Sequence, residues 1–208
     1  MSIDQAVLPT TLETAALDRL FSRAHTTNSF SDEPVDPQLI RRVYEDLRWA
    51  PTAFNAQPLR LTVLTPGPTR DAVIEHLMPG NQAKTQAAPL TIVAAYTADW
   101  HEYMPTLAPQ RAGARESFAE KAGMRETVGQ QSADIQIGYL LLALRAHGLE
   151  VGPMTGLDAA GVDSVVHQEN GWKTRVVINA GHRAHPDDET AVAPRGGRLE
   201  FTDAAQVL

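Results

Sequence analysis

The sequence predicts an α+β domain with a central β-sheet flanked by helices, and three observations carry that expectation. Leu59-Arg60-Leu61-Thr62-Val63-Leu64 alternates as a half-buried strand, and Leu90 to Tyr96 is a nearly continuous apolar run of strand length. Val176, Val177 and Ile178 form the apolar centre of a third strand over 173–180. Segments of helical period lie between these runs, the longest over 127–147. The 208 residues are 43% hydrophobic, enough for one substantial core, and no linker divides them, so a single domain over 1–208 is expected.

Composition narrows the chemistry. With 18 basic and 25 acidic residues the formal charge is -7, which gives no global pull toward nucleic acid or an anionic membrane. Cysteine is absent, so disulfides, thiolate nucleophiles and cysteine-ligated metals are excluded, and any redox chemistry must come from a bound cofactor. No apolar segment reaches membrane length, and residues 1–16 carry no long apolar run after a basic start. A cytoplasmic protein without membrane or nucleic-acid partners is expected.

Taken in order, residues 11–24 read as a helix with Ala16, Leu17, Leu20, Phe21 and Ala24 on one face. It gives way to His25-Thr26-Thr27-Asn28-Ser29-Phe30, a polar run suited to a phosphate or to plain capping. Asp36-Pro37 is a helix start, a carboxylate N-cap followed by proline at the first helical position, and Leu39, Ile40, Val43 and Leu47 continue at helical spacing. Pro51 forces Ala50 out of the helical region. The turn Pro51-Thr52-Ala53-Phe54-Asn55-Ala56-Gln57-Pro58 then packs two prolines, two amides and a hydroxyl between anchored elements. Such a turn can aim Asn55 and Gln57 at a flat polar heterocycle, or simply satisfy its own backbone.

Beyond the first strand, Pro66-Gly67-Pro68 turns the chain into a helix over 69–78, and Pro79-Gly80-Asn81-Gln82-Ala83-Lys84 reads as a further break. Residues 97–125 lose apolar periodicity, and Trp100, Tyr103, Met104 and Phe118 among prolines and glycines suggest an excursion over a pocket. The helix over 127–147 is apolar nearly all round in its second half, which predicts burial on every side, within the chain or against a second copy, and Gly148 is placed to end it. In Val151-Gly152-Pro153-Met154-Thr155-Gly156-Leu157-Asp158, glycines allow close backbone approach to a ligand and Asp158 can cap the next helix. His182, His185, Asp187 and Asp188 follow the third strand in a hydrophilic stretch whose spacing favours a solvated loop over a metal site. Arg195 and Arg198 bracket two glycines and suit a phosphate, and Thr202 is placed to cap a last short helix to Leu208.

The run at 51–58 resembles the P-S-x-x-N-x-Q-P signature of the FMN-dependent nitroreductase family, and most of the chain supports the match. It looks most like the branch containing malonic semialdehyde reductase. The resemblance implies a homodimer with FMN at its interface and NADH or NADPH as hydride donor. Pro51, Thr52, Asn55, Gln57 and Asn81 would then grip the flavin, and Lys84 would touch flavin or nicotinamide. The backbone N–H of Thr155 or Gly156 would face flavin N5 or O4, and Arg195 would meet the phosphate, with Arg198, His25 and Thr26 as weaker candidates. His25 departs from the family pattern, because an arginine is expected there. The resemblance further implies ping-pong hydride transfer through flavin N5 with no catalytic side chain and no metal. It suggests malonic semialdehyde as the small-molecule electron acceptor, reduced to 3-hydroxypropionate. The alternatives are a broad NAD(P)H nitro- or quinone reductase, and a flavin-binding protein without nicotinamide turnover. The absence of G-x-G-x-x-G, GK[ST], H-E-x-x-H and G-x-S-x-G motifs leaves no rival nucleotide groove, metalloprotease or serine-hydrolase reading.

Overall fold

The computed structural model describes residues 11–185 and 195–208. Asp187 and Asp188 lie outside the described residues. The chain builds a four-stranded sheet in the order β1-β2-β4-β3, from β1 (Leu59–Leu64), β2 (Leu90–Tyr96), β3 (Glu150–Met154) and β4 (Lys173–Gly181). Every neighbouring pair is antiparallel. Because β2 is central and covered on both faces, all seven of its residues are buried, which explains its unbroken apolar run. Pro153 is tolerated because β3 is an edge strand, where a missing N–H costs no ladder bond.

Alternation along the strands divides the core. Ile92, Ala94, Ile178 and Ala180 face α2 (Gln38–Leu47) and α7 (Ala122–Ala146), where Ile40, Val43, Leu47, Leu140 and Leu144 meet them. Val93 and Val177 point the other way, toward Val73 and Ile74 of α3 (Pro68–Glu75) and Val162 of α8 (Ala159–Val166). Asp36 caps α2 as expected, its Oδ1 accepting from the Gln38 N–H at 2.9 Å. Gly148 at φ 93 closes α7, and the Leu149 N–H donates back to the Leu144 carbonyl at 3.0 Å.

Several expectations need correction. The first helix is short, Thr14–Leu17 followed by a wider turn over Asp18–Ser22. The break at 79–84 is the opening of a helix, Pro79–Ala87, with proline at its start, where a missing N–H is harmless. Asp158 precedes α8, but its side chain makes no cap bond and lies 3.9 Å from His76 Nδ1. Near the C-terminus only Phe201–Ala204 is helical, so Thr202 lies inside that turn instead of capping it. Within one chain α7 is not buried on every side, since Ile135 is 48% and Tyr139 45% exposed.

Candidate functional site

Three non-glycine residues of the 51–58 turn have left-handed backbone: Phe54 (φ 59), Asn55 (φ 57) and Gln57 (φ 42). Each such residue costs on the order of 1–3 kcal/mol, so the surroundings must hold them. The Asn55 N–H donates to the Thr52 carbonyl at 3.0 Å, the Gln57 N–H to Thr52 Oγ1 at 3.2 Å, and the Ala53 N–H to Ser132 Oγ at 3.3 Å. Underneath, Phe54 packs on Phe118 with ring centroids 5.1 Å apart, and Phe118 packs on Trp100 at 4.9 Å. The amides engage each other: Gln57 Nε2 donates to Asn55 Oδ1 at 3.0 Å, while Asn55 Nδ2 donates to the Leu107 carbonyl at 2.8 Å. One N–H of each side-chain amide and Gln57 Oε1 retain capacity for a ligand. Trp100 therefore belongs to the support of this turn and not to a pocket wall; it is fully buried and its Nε1 donates to the Arg125 carbonyl at 3.0 Å. Tyr103 from the same excursion is 53% exposed and stacks with Arg60 at 5.2 Å, beside a groove that Gln57 and Leu61 also line.

A second group forms along the β3 edge. Thr26 bridges to Val151, and the Thr27 N–H donates to the Val151 carbonyl at 2.9 Å, so the polar run after the first helix lies against the sheet. Gly152 is required there, because a Cβ would collide with the Thr27 carbonyl. Phe30 bridges to Arg183, which fixes the chain leaving β4 beside the same run. The result is a cavity of about 510 Å³ lined by His25, Thr26, Arg145, Arg183, Arg195 and Arg198, among others. Arg195 is held by donation from Nη2 to the Ala24 carbonyl at 3.0 Å, and Arg145 by donation from Nη1 to the Leu20 carbonyl at 3.1 Å. Arg198 Nη1 instead folds back on the Gly196 and Gly197 carbonyls. Burial, with Arg195 and Arg183 next, holds the His25 imidazole below its ordinary range. Burial likewise lowers Arg145, which remains charged at any physiological pH.

Arg145 and Arg183 escaped sequence reasoning. The one available signal for Arg145 was a lone base in the apolar end of α7, and Arg183 looked like any residue after a strand.

The remaining candidates continue along this edge. Asn81 Nδ2 donates to the Gly156 carbonyl at 2.9 Å, and the Met78 N–H donates to the same oxygen at 3.0 Å. A Cβ on Gly156 would stand 2.9 Å from Asn81 Nδ2, so glycine permits this seam. Thr155 is exposed beside it. Lys84 Nζ reaches Asn28 Oδ1 at 3.3 Å, joining the helix Pro79–Ala87 to the polar run. Below, a buried chain of bonds seats that helix on the sheet. Thr91 Oγ1 donates to Asn179 Oδ1 at 3.2 Å, Asn179 Nδ2 to Thr85 Oγ1 at 3.0 Å, and Thr85 Oγ1 to the Asn81 carbonyl at 2.8 Å.

The structure thus gathers His25, Thr26, Asn81, Lys84, Thr155, Gly156, Arg195 and Arg198 on one edge and leaves Pro51, Thr52, Asn55 and Gln57 elsewhere. Strand register measures the separation. Val151 lies level with Ala180, whereas Leu59 lies level with Tyr96 and Lys173 at the other end of the other edge strand. That is roughly 20 Å along the strands and about 14 Å across them. Among the described residues no three His, Asp or Glu side chains come together as a metal site, and no helix is long and apolar enough to cross a membrane.

The sequence profile of the nitroreductase family matches residues 22–182. A protein of Leptothrix cholodnii named NADH dehydrogenase/NAD(P)H nitroreductase is 42% identical over 197 residues, which are 95% of this chain and 98% of that protein. One of the same designation from Ralstonia nicotianae is 35% identical over 198 residues, 95% of this chain and 99% of its own. The fold superposes with a TM-score of 0.80 on a nitroreductase in complex with FMN from Exiguobacterium sibiricum, at 17% identity and covering 96% of this chain and 100% of that one.

Proposed function

Because this chain belongs to the nitroreductase family, we propose that it is an FMN-dependent NAD(P)H oxidoreductase that works as a homodimer. The observation that carries this reading is the division of the site between opposite corners of one sheet. A guanidinium-lined cavity suits a phosphate monoester, and paired amides on a rigid turn suit a pyrimidine edge. The two lie farther apart than one mononucleotide reaches. A second copy that presents its own 51–58 turn to the β3 edge of the first completes two equivalent sites. The exposed Ile135 and Tyr139 on α7 supply apolar area for that contact.

When bound, FMN supplies hydride transfer at N5, from NADH or NADPH to an acceptor. The chain's own residues bind and orient. Arg145, Arg183 and Arg195 would hold the phosphate end, Asn81 and Lys84 would contact the ring, and a backbone N–H of Thr155 or Gly156 would stabilise charge at N5 or O4. A single open site would serve donor and acceptor in turn, so turnover would be ping-pong, with proximity doing most of the work. Malonic semialdehyde, reduced to 3-hydroxypropionate, is the proposed acceptor, and the reaction is placed in the cytoplasm. The names of the relatives favour a second reading, an NAD(P)H nitroreductase, for which quinones are a further acceptor to test.

The test is to reconstitute the purified protein with FMN and add NADH or NADPH anaerobically. Bleaching of the visible flavin bands is expected, followed by parallel initial-velocity lines with semialdehyde, nitroaromatic and quinone acceptors. Flavin that is retained but never bleached would make this a flavin-binding protein without nicotinamide turnover.

A further inference from the structure

His25 brings a titratable imidazole into a cavity otherwise walled by arginines, and its surroundings decide what it does there. Its ring lines the cavity with Arg145 from α7, Arg183 from the end of β4, and Arg195 and Arg198 from the C-terminal segment. The opposing carboxylate is Glu150 on β3, itself 3.7 Å from Arg183 Nη2, and His185 shares the wall. Among the described residues neither His25 ring nitrogen has a hydrogen-bond partner, although Thr26 and Thr27 beside it are fixed to Val151. We propose that FMN enters this cavity with uptake of one proton by His25, so that the cofactor is retained in mildly acidic solution and loosened as pH rises above neutrality.

The inference rests on the reading that this cavity takes the FMN phosphate. Before binding, partial burial and the guanidinium groups of Arg195, Arg183 and Arg198 hold the imidazole below its ordinary range and so favour its neutral form. A phosphate dianion reverses the local field and offers acceptor oxygens, so the imidazolium becomes the favoured form and donates to it. An arginine in this place is charged in both states and takes up nothing. The sign follows from linkage. Between the free and bound pKa values the complex holds one more proton than its parts, so affinity falls by up to about tenfold per pH unit as pH rises. The phosphate's own second ionisation, near pH 6, acts oppositely and is complete above about pH 7.

The experiment is calorimetric titration of the apo homodimer with FMN between about pH 7 and pH 9, in two buffers of different ionisation enthalpy. Wild type is expected to take up a fraction of a proton that declines across the range while the dissociation constant rises. His25→Arg is expected to bind with a flat pH profile and no uptake, and His25→Gln to bind more weakly, also flat. A flat wild-type profile, or a slope that persists in His25→Arg, overturns the inference while leaving FMN binding in place. Failure of FMN to bind at any pH overturns both the inference and the functional reading beneath it.

Discussion

Replacing Asn179 with leucine removes the centre of the buried chain that seats Asn81. The side chain is 1% exposed, and it accepts from Thr91 at 3.2 Å and donates to Thr85 at 3.0 Å. Leucine keeps the same heavy-atom branching and is somewhat larger, so no cavity is left. The loss is two neutral hydrogen bonds at about 1 kcal/mol each, and a Thr91 hydroxyl left without its acceptor adds about 1–3 kcal/mol. Thr85 keeps its bond to the Asn81 carbonyl, which confines the damage. A destabilisation of about 3–5 kcal/mol is expected. In urea denaturation with a slope of about 2 kcal/mol/M, that moves the midpoint by about 1.5–2.5 M. Adding Thr91→Val removes the orphaned hydroxyl, so the double variant should recover about 1–2 kcal/mol over Asn179→Leu. FMN affinity should weaken in parallel, because Asn81 braces Gly156. An Asn179→Leu protein within about 0.5 kcal/mol of wild type, or strictly additive effects in the double variant, would refute the reasoning.

Further expectations concern the site's support and its charge. Trp100→Phe should cost about 1–2 kcal/mol in urea denaturation through the lost Arg125 bond and contact area, with ratios of kcat/KM across acceptors unchanged; Tyr103→Ala should shift those ratios instead. Arg183→Ala, removing a charged donor from the cavity proposed for the FMN phosphate, should raise the FMN dissociation constant by about 10- to 100-fold in fluorescence titration and leave kcat at saturating FMN nearly intact. Burial, with Arg125 second, holds His101 below its ordinary range. The unfolded chain therefore takes up its proton first, so stability is complete above about pH 7 and declines as pH falls through about 6.5 toward the folded value. His101→Gln should reduce that slope in denaturation series at successive pH values.

Local pattern made some of this structure legible and tertiary contact concealed the rest. The first two strands, Leu59–Leu64 and Leu90–Tyr96, were readable residue for residue, because alternation and full burial leave periodic signatures bounded by proline and glycine. Pro79-Gly80-Asn81 was not readable, since proline and glycine mark a helix start and a break equally well until the following turn is seen. Trp100 looked like a pocket aromatic because its burial depends on Phe118, which comes later in the chain. The amides of the 51–58 turn were visible as residues but not as a bonded pair, which depends on left-handed φ at Asn55 and Gln57. The arginine cavity was legible at His25, Thr26, Arg195 and Arg198 but not at Arg145 or Arg183. Arg183 joins it through a bridge to Phe30, and no spacing rule links positions that far apart.

The opposite placement of the two half-sites has a genetic meaning. If each site is assembled, as proposed, from the arginine edge of one subunit and the amide turn of the other, a lesion in either region spoils a site it shares with its neighbour. Two alleles crippled in different regions then rescue each other. In a mixed population half the pairs are hybrids, and each hybrid concentrates both lesions in one site and leaves the other whole, restoring about a quarter of all sites. Lesions in the same region cannot do so, and complementation between alleles would therefore map, without any coordinates, which residues serve their own subunit's flavin and which serve its neighbour's.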